Sequence, residues 1–276
     1  MIRLSAFADE IAPDLDEQIA VLQSENIHYL DLRGVWGTNV LDLTDQQVAT
    51  IKQALTSGGI GVAAIGSPIG KVPIDSSFDE QLQRFERALT LAREFQTPYV
   101  RIFSFYPPAA QAAAPVDYRD EVLRRVREMT DRARAADVVL LHENERGIYG
   151  DTIARCVDLM GSVDDAHFQA VLDPANFVVC GQVPYPDAYD ALRSWVRYVH
   201  VKDVRADGAL APAGEGVARW PDLLQRLRQD GYDGVLSLEP HLAEAGQYQG
   251  VSGPDLFRRA SQALQLLLRA LDWEYN

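Results

Sequence analysis

The sequence has little cysteine, few basic residues and no long apolar run, and each shortage excludes a class of protein. Its 276 residues contain two cysteines, Cys156 and Cys180, which are too few and too far apart for a disulfide framework or a thiolate metal site. Lysine and arginine number 26 against 40 acidic residues, and the net charge of −14 argues against nucleic acid or anionic membranes as partners. No window reaches the ~18 apolar residues of a membrane span. We therefore expect a cytoplasmic protein with a small-molecule partner.

Apolar runs of strand type alternate with segments of helical period along the chain. Eight runs are rich in Val, Ile, Leu and aromatic residues, which is typical of strands buried on both faces. They are Ile2–Ala8, Ile27–Arg33, Gly61–Gly66, Tyr99–Phe105, Val138–Glu143, Phe168–Asp173, Val196–Lys202 and Gly234–Glu239. Amphipathic segments such as Leu82–Leu89 lie in the gaps. Because repeated strand–helix units force parallel pairing, the sequence predicts one α/β domain over residues 1–276, a single (β/α)8 TIM barrel.

An open doubly wound sheet is the competing architecture. Such a sheet normally carries a glycine-rich phosphate-binding turn after its first strand, and residues 7–10 here read Phe-Ala-Asp-Glu. Helix-end signals support the strand–helix units: Asp14 is an expected N-cap, Ser77 begins a capping box, and Gly58-Gly59 ends the second helix. The Pro- and Ala-rich stretch 107–115 is predicted to be a surface loop on the active face.

Four of the eight runs end in a polar side chain that suits a metal ion. The runs predicted as strands five to eight end in or next to Glu143, Asp173, His200 and Glu239. In a (β/α)8 barrel the C-terminal ends of the strands form the active face, so these side chains are expected to meet at the mouth. Because a lone ionised group is too costly to bury, their recurrence indicates a shared cation. Oxygen and nitrogen ligands of this kind suit one divalent metal ion, Mn2+, Mg2+, Co2+ or Zn2+.

The residues that surround these four ends form recognisable segments. They are His142-Glu143-Asn144-Glu145-Arg146, Leu172-Asp173-Pro174-Ala175-Asn176-Phe177, Val199-His200-Val201-Lys202-Asp203 with Gly214-Glu215-Gly216 downstream, and Ser237-Leu238-Glu239-Pro240-His241. Together they resemble the xylose-isomerase-like superfamily, specifically its sugar phosphate isomerase/epimerase group. That group includes ketose 3-epimerases, hydroxypyruvate isomerases and inosose dehydratases, and it is related to metal-dependent abasic-site endonucleases.

The resemblance implies a residue for each role in the site. Glu143, Asp173, His200 and Glu239 correspond to the metal ligands, and Glu143 and Glu239 also to the catalytic acid/base pair. The implied activity is that of a metal-dependent isomerase or epimerase, which acts on a small keto sugar or sugar phosphate through a metal-stabilised enediolate. If one glutamate removes a proton beside the carbonyl, return to the opposite face gives an epimer, and return to the neighbouring carbon gives an aldose.

Two residues near the predicted ligands are candidates for substrate binding. Asn176 stands where the epimerases often carry a histidine, and its amide can bond a sugar hydroxyl. Lys202 lies two residues beyond His200, so it is expected to point into the mouth. There it either holds a substrate oxygen or forms a salt bridge with Glu215 or Asp203.

Loop residues supply two further candidates for substrate binding. Lys71 follows the third strand and either reaches a substrate anion or remains a solvated lysine. His241 either touches the substrate, orients Glu239 or packs against a neighbouring loop. Arg101 lies inside an apolar run and is expected to find a carboxylate partner within the barrel, for which Glu145 is a candidate.

Several other functions compete with the isomerase or epimerase. An inosose-type dehydratase acting on a cyclitol would use the same metal site and expel a hydroxyl group, and Lys202 together with the missing histidine at position 176 keeps this alternative open. A DNA-repair endonuclease would need more histidines than the five present and a basic face. A non-catalytic sugar-binding relative would keep the ligands without turnover. Barrels of this group often associate, so a homo-oligomer is also consistent with the sequence.

Overall fold

A parallel sheet of eight strands forms the centre of the fold. The structure is a computed structural model that describes residues 1–108, 118–243 and 252–276, so most of the predicted loop 107–115 lies outside the described residues. The strands are β1 (Arg3–Ala6), β2 (Tyr29–Leu32), β3 (Gly61–Ile65), β4 (Tyr99–Ile102), β5 (Val139–Glu143), β6 (Phe168–Leu172), β7 (Val196–Val201) and β8 (Val235–Leu238). Each strand lies inside the run predicted for it, which confirms the eight predicted strands.

The eight strands curve into a nearly closed barrel. Hydrogen-bonded neighbours are parallel throughout and follow the order β1-β8-β7-β6-β5-β4-β3-β2. The two end strands, β1 and β2, lie beside each other, and the Ser5 hydroxyl of β1 donates to Asp31 Oδ1 of β2 at 2.8 Å. The barrel is therefore nearly closed, and the predicted (β/α)8 TIM barrel is confirmed.

Helices connect the strands around the outside of the barrel. In the described residues they are α1 (Leu15–Ser24), α2 (Asp45–Gly58), α3 (Phe78–Glu94), α4 (Arg119–Ala135), α5 (Ile153–Val163), α6 (Pro174–Val179), α7 (Tyr189–Leu192), α8 (Trp220–Gln229) and α9 (Gly253–Ala270). Asp14 and Ser77 accept N-terminal amides of α1 and α3, and Gly59 ends α2 at φ 66°. The reciprocal capping box forms at Thr44 of α2, whereas Ser77 makes only its own half of the motif. None of the helices in these ranges is long and apolar enough to cross a bilayer.

The barrel interior contains a layer of polar side chains just below the mouth. Asp31 is 2% exposed and accepts hydrogen bonds from the hydroxyls of Ser5, Ser237 and Tyr198. Burial raises the pKa of Asp31, although these hydroxyl donors and His200 oppose the shift. Tyr198 lies two residues before His200 on β7, so both side chains share the inward face of the strand. These hydrogen bonds therefore hold in place the polar side chains that lie directly beneath the mouth residues.

Candidate metal centre

The four strand ends predicted to meet do so at the C-terminal mouth of the barrel. Glu143, Asp173, His200 and Glu239 each offer one ligand atom, and these atoms all lie within 4.8 Å of one another. All four residues are buried, with between 0% and 3% of their surface exposed. The barrel geometry explains the meeting, because parallel strands β5 to β8 end at the same rim.

The imidazole of His200 lies between the two glutamates. Its Nδ1 is 3.2 Å from Glu143 Oε1 and 3.3 Å from Glu239 Oε2, yet it makes no well-aligned hydrogen bond. Burial lowers the pKa of His200, but the two carboxylates outweigh burial and raise this pKa to about 10. Burial likewise raises the pKa of Glu143, but His200 and Arg101 bring it down to about 2. The metal-free protein thus holds an imidazolium among carboxylates.

Asp173 joins the mouth to the start of α6. Its Oδ1 accepts the backbone N–H of Asn176 at 2.9 Å, which caps the helix, and Pro174 suits the first helical turn. Its Oδ2 lies 2.9 Å from Lys202 Nζ but makes no well-aligned hydrogen bond. Burial raises the pKa of Asp173 to about 6, although Lys202 opposes the shift.

Lys202 points into the mouth, as its spacing from His200 predicts. Besides Asp173, its ammonium group contacts Glu239 Oε2 at 3.4 Å, and its side chain is almost fully buried. The predicted alternative, a salt bridge with Glu215 or Asp203, is wrong. Glu215 pairs with surface arginines, and Asp203 accepts backbone N–H groups of the loop after β7. Because Asp203 is bonded within its own loop and Glu215 pairs at the surface, Lys202 contacts Asp173 and Glu239 instead.

Two arginines reach the cluster from β4 and from the end of β2. Arg101 Nη1 is 3.0 Å from Glu143 Oε2 and 3.5 Å from Glu239 Oε1, which confirms that Arg101 has a carboxylate partner. The partner is not Glu145, because the guanidinium group is directed inward rather than toward the rim. Arg33 Nη1 is 3.0 Å from Glu239 Oε1, and its Nε is 2.7 Å from Asp9 Oδ2. Both guanidinium groups stack on Phe7, each 4.7 Å from the ring centroid.

Glu239 is the most heavily surrounded carboxylate of the cluster. Burial raises its pKa, but Lys202, His241 and His200 together bring the pKa well below its usual value. His241 Nε2 is 3.6 Å from Glu239 Oε1 and 3.0 Å from Glu10 Oε1, so its imidazole faces the carboxylates. Glu10 Oε2 also accepts the backbone N–H of His241 at 2.8 Å. These contacts join the segment that follows β1 to the segment that follows β8.

Asn176 lies against the ligand set from the side of α6. Its amide nitrogen donates to the Asn144 carbonyl at 2.9 Å and reaches Glu143 Oε1 at 3.4 Å. Asn144 in turn exchanges hydrogen bonds with the backbone of Asp173, at 2.9 and 3.0 Å. These amides hold the ends of β5 and β6 at a fixed separation.

Lys71 lies apart from the buried cluster, on the loop after β3. Its Nζ is 2.7 Å from Glu145 Oε2 and 4.4 Å from the centroid of the Phe103 ring. The side chains of Lys71 and Glu145 are 24% and 23% exposed, so the pair lies at the rim. The structure therefore brings three of the four predicted substrate-binding residues into contact with the cluster, and places Lys71 above it.

Arg33 is the main residue of the site that sequence reasoning missed. It ends the predicted second strand after the apolar run Tyr29-Leu30-Asp31-Leu32, the same signal that identified Glu143 and Glu239. Asp9 and Glu10 directly follow the first predicted strand, Ile2–Ala8, and give the same signal. A charged residue at the end of a buried strand thus marks this mouth on at least five strands.

A (β/α)8 barrel with a buried carboxylate and imidazole cluster at its C-terminal mouth defines a class of barrel proteins suited to divalent metal ions. The chain belongs to the xylose isomerase-like TIM barrel family, whose model matches residues 25–267. The resemblance suggested by the four segments is therefore confirmed at the level of the family.

Known relatives include enzymes with different reactions. The 3-dehydroshikimate dehydratase of Bacillus anthracis is 21% identical over 231 residues, which cover 76% of this chain and 81% of the relative. A D-tagatose 3-epimerase-like protein superposes with a TM-score of 0.78 at 16% identity and covers 98% of both chains. A xylose isomerase-like TIM barrel protein from Mycobacterium smegmatis in complex with magnesium gives a TM-score of 0.72 at 17% identity, covering 98% of this chain and 97% of that one. The structural likenesses show a shared fold.

Proposed function

We propose that the protein is a divalent-metal-dependent isomerase or epimerase of a small keto sugar. The observation that carries the proposal is the convergence of Glu143, Asp173, His200 and Glu239 within 4.8 Å at the barrel mouth. Membership of a family with epimerase relatives supports it.

The donor set fits a divalent cation. Two of its buried atoms, Asp173 Oδ2 and His200 Nδ1, make no well-aligned hydrogen bond with the described residues. Buried polar atoms without aligned partners are costly, and a divalent ion that replaces the proton on His200 Nδ1 would bind both atoms and remove this cost. Mn2+, Mg2+, Co2+ and Zn2+ all suit three carboxylates and an imidazole. The magnesium in the mycobacterial neighbour supports a hard, oxygen-preferring ion.

The protein side chains would divide the work of proton transfer. A divalent ion in this site would supply a Lewis acid for a carbonyl and its neighbouring hydroxyl, which acidifies the C–H bond between them. Glu143 and Glu239 are the proposed acid/base pair, because both carboxylates lie within the cluster, each about the same distance from His200 Nδ1. Arg101 contacts both glutamates and would keep them at a fixed separation. Lys202 and Asn176 are the proposed contacts for substrate oxygens.

A dehydratase is the second candidate, favoured by one observation. The relative from Bacillus anthracis is a 3-dehydroshikimate dehydratase that matches most of this chain. Loss of a hydroxyl requires a proton donor for the leaving group, and the Lys202 ammonium lies among the carboxylates where such a donor would act. The two candidates share the same first proton removal.

One experiment tests both candidates. The metal-loaded protein is incubated in deuterium oxide with a panel of ketoses and ketocyclitols, and the substrates are followed by NMR and mass spectrometry. We expect metal-dependent exchange of one C–H proton for deuterium, accompanied by an epimer or isomer whose mass differs from the substrate only by the deuterium that it has gained. A product lighter by one water would identify the dehydratase instead. Absence of exchange across the panel, in protein shown to contain metal, would refute both.

Metal binding is expected to release a proton. The pKa of His200 in the metal-free protein is raised from 6.5 to about 10, so this proton stabilises the metal-free fold below pH 6.5, and its contribution is lost as the pH rises through 10. Because a metal ion needs the unprotonated Nδ1, its affinity should rise with pH across the same window. At pH 8 we expect about one proton released per ion, measured by calorimetry in two buffers of different ionisation enthalpy. His200→Gln should bind more weakly and release none; a wild type that also releases none would contradict the assignment.

A further inference from the structure

In the part of the chain that the structure describes, each lysine and arginine that contacts the mouth cluster already pairs with a carboxylate of the protein. Arg33 and Arg101 contact Glu239, and Lys202 contacts both Asp173 and Glu239. Lys71 completes the set at the rim through its 2.7 Å contact with Glu145. Apart from the metal ion itself, a substrate carboxylate or phosphate would therefore have to take its counter-ion from one of these pairs.

The segments outside the described residues do not change this inventory. Residues 109–117 and 244–251 contain no lysine, arginine or histidine. Arg146, next to Glu145 in the chain, has a side chain exposed to water, where an ion pair with a ligand is weak.

Carboxylates outnumber the lysine and arginine side chains that pair with them at the mouth. Five carboxylates, those of Asp9, Glu10, Glu143, Asp173 and Glu239, surround the mouth, and Asp31 lies buried just below them. Arg33, Arg101 and Lys202 contact these five carboxylates, and a divalent ion would leave no positive charge in excess of them. An uncharged substrate adds no charge to this set, whereas an anion adds a negative charge that no excess positive charge offsets.

Lys71 and Glu145 are held in place as a pair. Phe103 and Phe105 donate backbone N–H groups to Ile69 and Gly70, at 2.8 and 3.0 Å, which fixes the loop that carries Lys71 against the end of β4. Gly70 has a φ of 84°, and a Cβ there would lie 2.1 Å from the Phe103 carbonyl, so the close approach requires glycine.

The pair also lies within electrostatic reach of the buried cluster. Lys71 stacks on Phe103, and the guanidinium group of Arg101 lies 5.1 Å from the centroid of the same ring. Glu145 is among the carboxylates whose charge raises the pKa of Lys202. A ligand that approaches the cluster from this side of the rim therefore passes the pair.

We propose that the Lys71–Glu145 ion pair makes the site selective for uncharged keto sugars or cyclitols over their phosphates and carboxylates. Glu145 already forms the ion pair that Lys71 would otherwise form with a substrate anion. The negative charge of Glu145 also repels such an anion. Glu145 is thus a specificity-determining residue. The inference rests on the proposed function for the class of substrate, whereas the binding of an anion can be measured without catalysis.

The test uses inorganic phosphate as an anion probe. Metal-loaded wild type, Glu145→Gln, Lys71→Gln/Glu145→Gln and the control Arg146→Gln are titrated with phosphate by calorimetry. Removing one unit charge at contact distance should raise phosphate affinity in Glu145→Gln at least about tenfold over wild type. The double variant should lose this gain, and Arg146→Gln should match wild type. The charge-swapped Lys71→Glu/Glu145→Lys protein should again match wild type and serves as a second variant if Glu145→Gln does not fold.

The outcomes separate the inference from the proposed function. Phosphate binding by the wild type that disappears in Lys71→Gln would show Lys71 to be an anion receptor and overturn the inference, as would Glu145→Gln with no gain. In the deuterium-exchange panel, equal use of a neutral ketose and its phosphate would also overturn it, while leaving the proposed function intact. Absence of exchange with every compound would refute the proposed function alone.

Discussion

Asp173→Asn is expected to lower the affinity for divalent metal by at least about 100-fold, because loss of a hydrogen-bond partner behind a metal ligand alone commonly reduces affinity 10- to 100-fold. Asparagine preserves the size of the side chain and the cap on α6, where Oδ1 now accepts the N–H of Asn176. It removes the negative charge and therefore both the ligand and the partner of Lys202, whose Nζ lies 2.9 Å away. Elemental mass spectrometry and metal titration measure the loss.

The same substitution should also destabilise the metal-free protein. The Lys202 ammonium would remain buried with only the longer contact to Glu239 at 3.4 Å, and breaking a buried ion pair from one side costs about 3 kcal/mol. Lys202→Met in the Asp173→Asn background should restore most of the free energy of unfolding in urea, because no unpaired charge is then buried. It should not restore metal binding. Wild-type metal affinity in Asp173→Asn would show that the cluster is not the metal site.

The fold could be predicted because its signal is local. Each strand is a run of apolar, often β-branched residues. Such a run can be recognised in the sequence without knowing which strands lie beside it. Caps such as Asp14 and Gly59 act within three or four residues and were predicted for the same reason. The capping box was placed at Ser77 but forms at Thr44, since reciprocal bonding depends on the rotamers of two side chains that sequence does not determine.

Site residues could be predicted only where their position along a strand determines the direction of the side chain. Glu143 faces the mouth because it ends β5, and Lys202 does so because it lies two residues beyond His200 of β7. The contact of Arg33 with Glu239 joins residues 206 apart in the chain and exists only because the curvature of the sheet brings the end of β2 beside β1 and β8. Pairing choices at the rim, such as Lys71 with Glu145, depend on loop conformation, so sequence reasoning left that lysine with two alternatives.

The two glutamates are expected to fail in different ways when each is replaced by glutamine. Gln keeps an oxygen for the metal but cannot accept a proton, so conversion of substrate to product should fall by about 1,000-fold in both Glu143→Gln and Glu239→Gln. If each carboxylate serves one face of the substrate, each variant retains the base for one epimer only. Deuterium exchange without conversion should then persist for opposite epimers in the two variants, as measured by NMR in deuterium oxide.

The surroundings of the two carboxylates predict which variant keeps its metal better. Glu239 contacts Arg33, Arg101 and Lys202, so its replacement leaves three cations short of a partner, whereas Glu143 contacts only Arg101 among them. We therefore expect Glu239→Gln to bind metal more weakly and to unfold at lower urea than Glu143→Gln. Metal content must be matched before rates are compared. Conversion at the wild-type rate by either metal-loaded variant would remove that glutamate from the acid/base pair, since an amide cannot carry the proton.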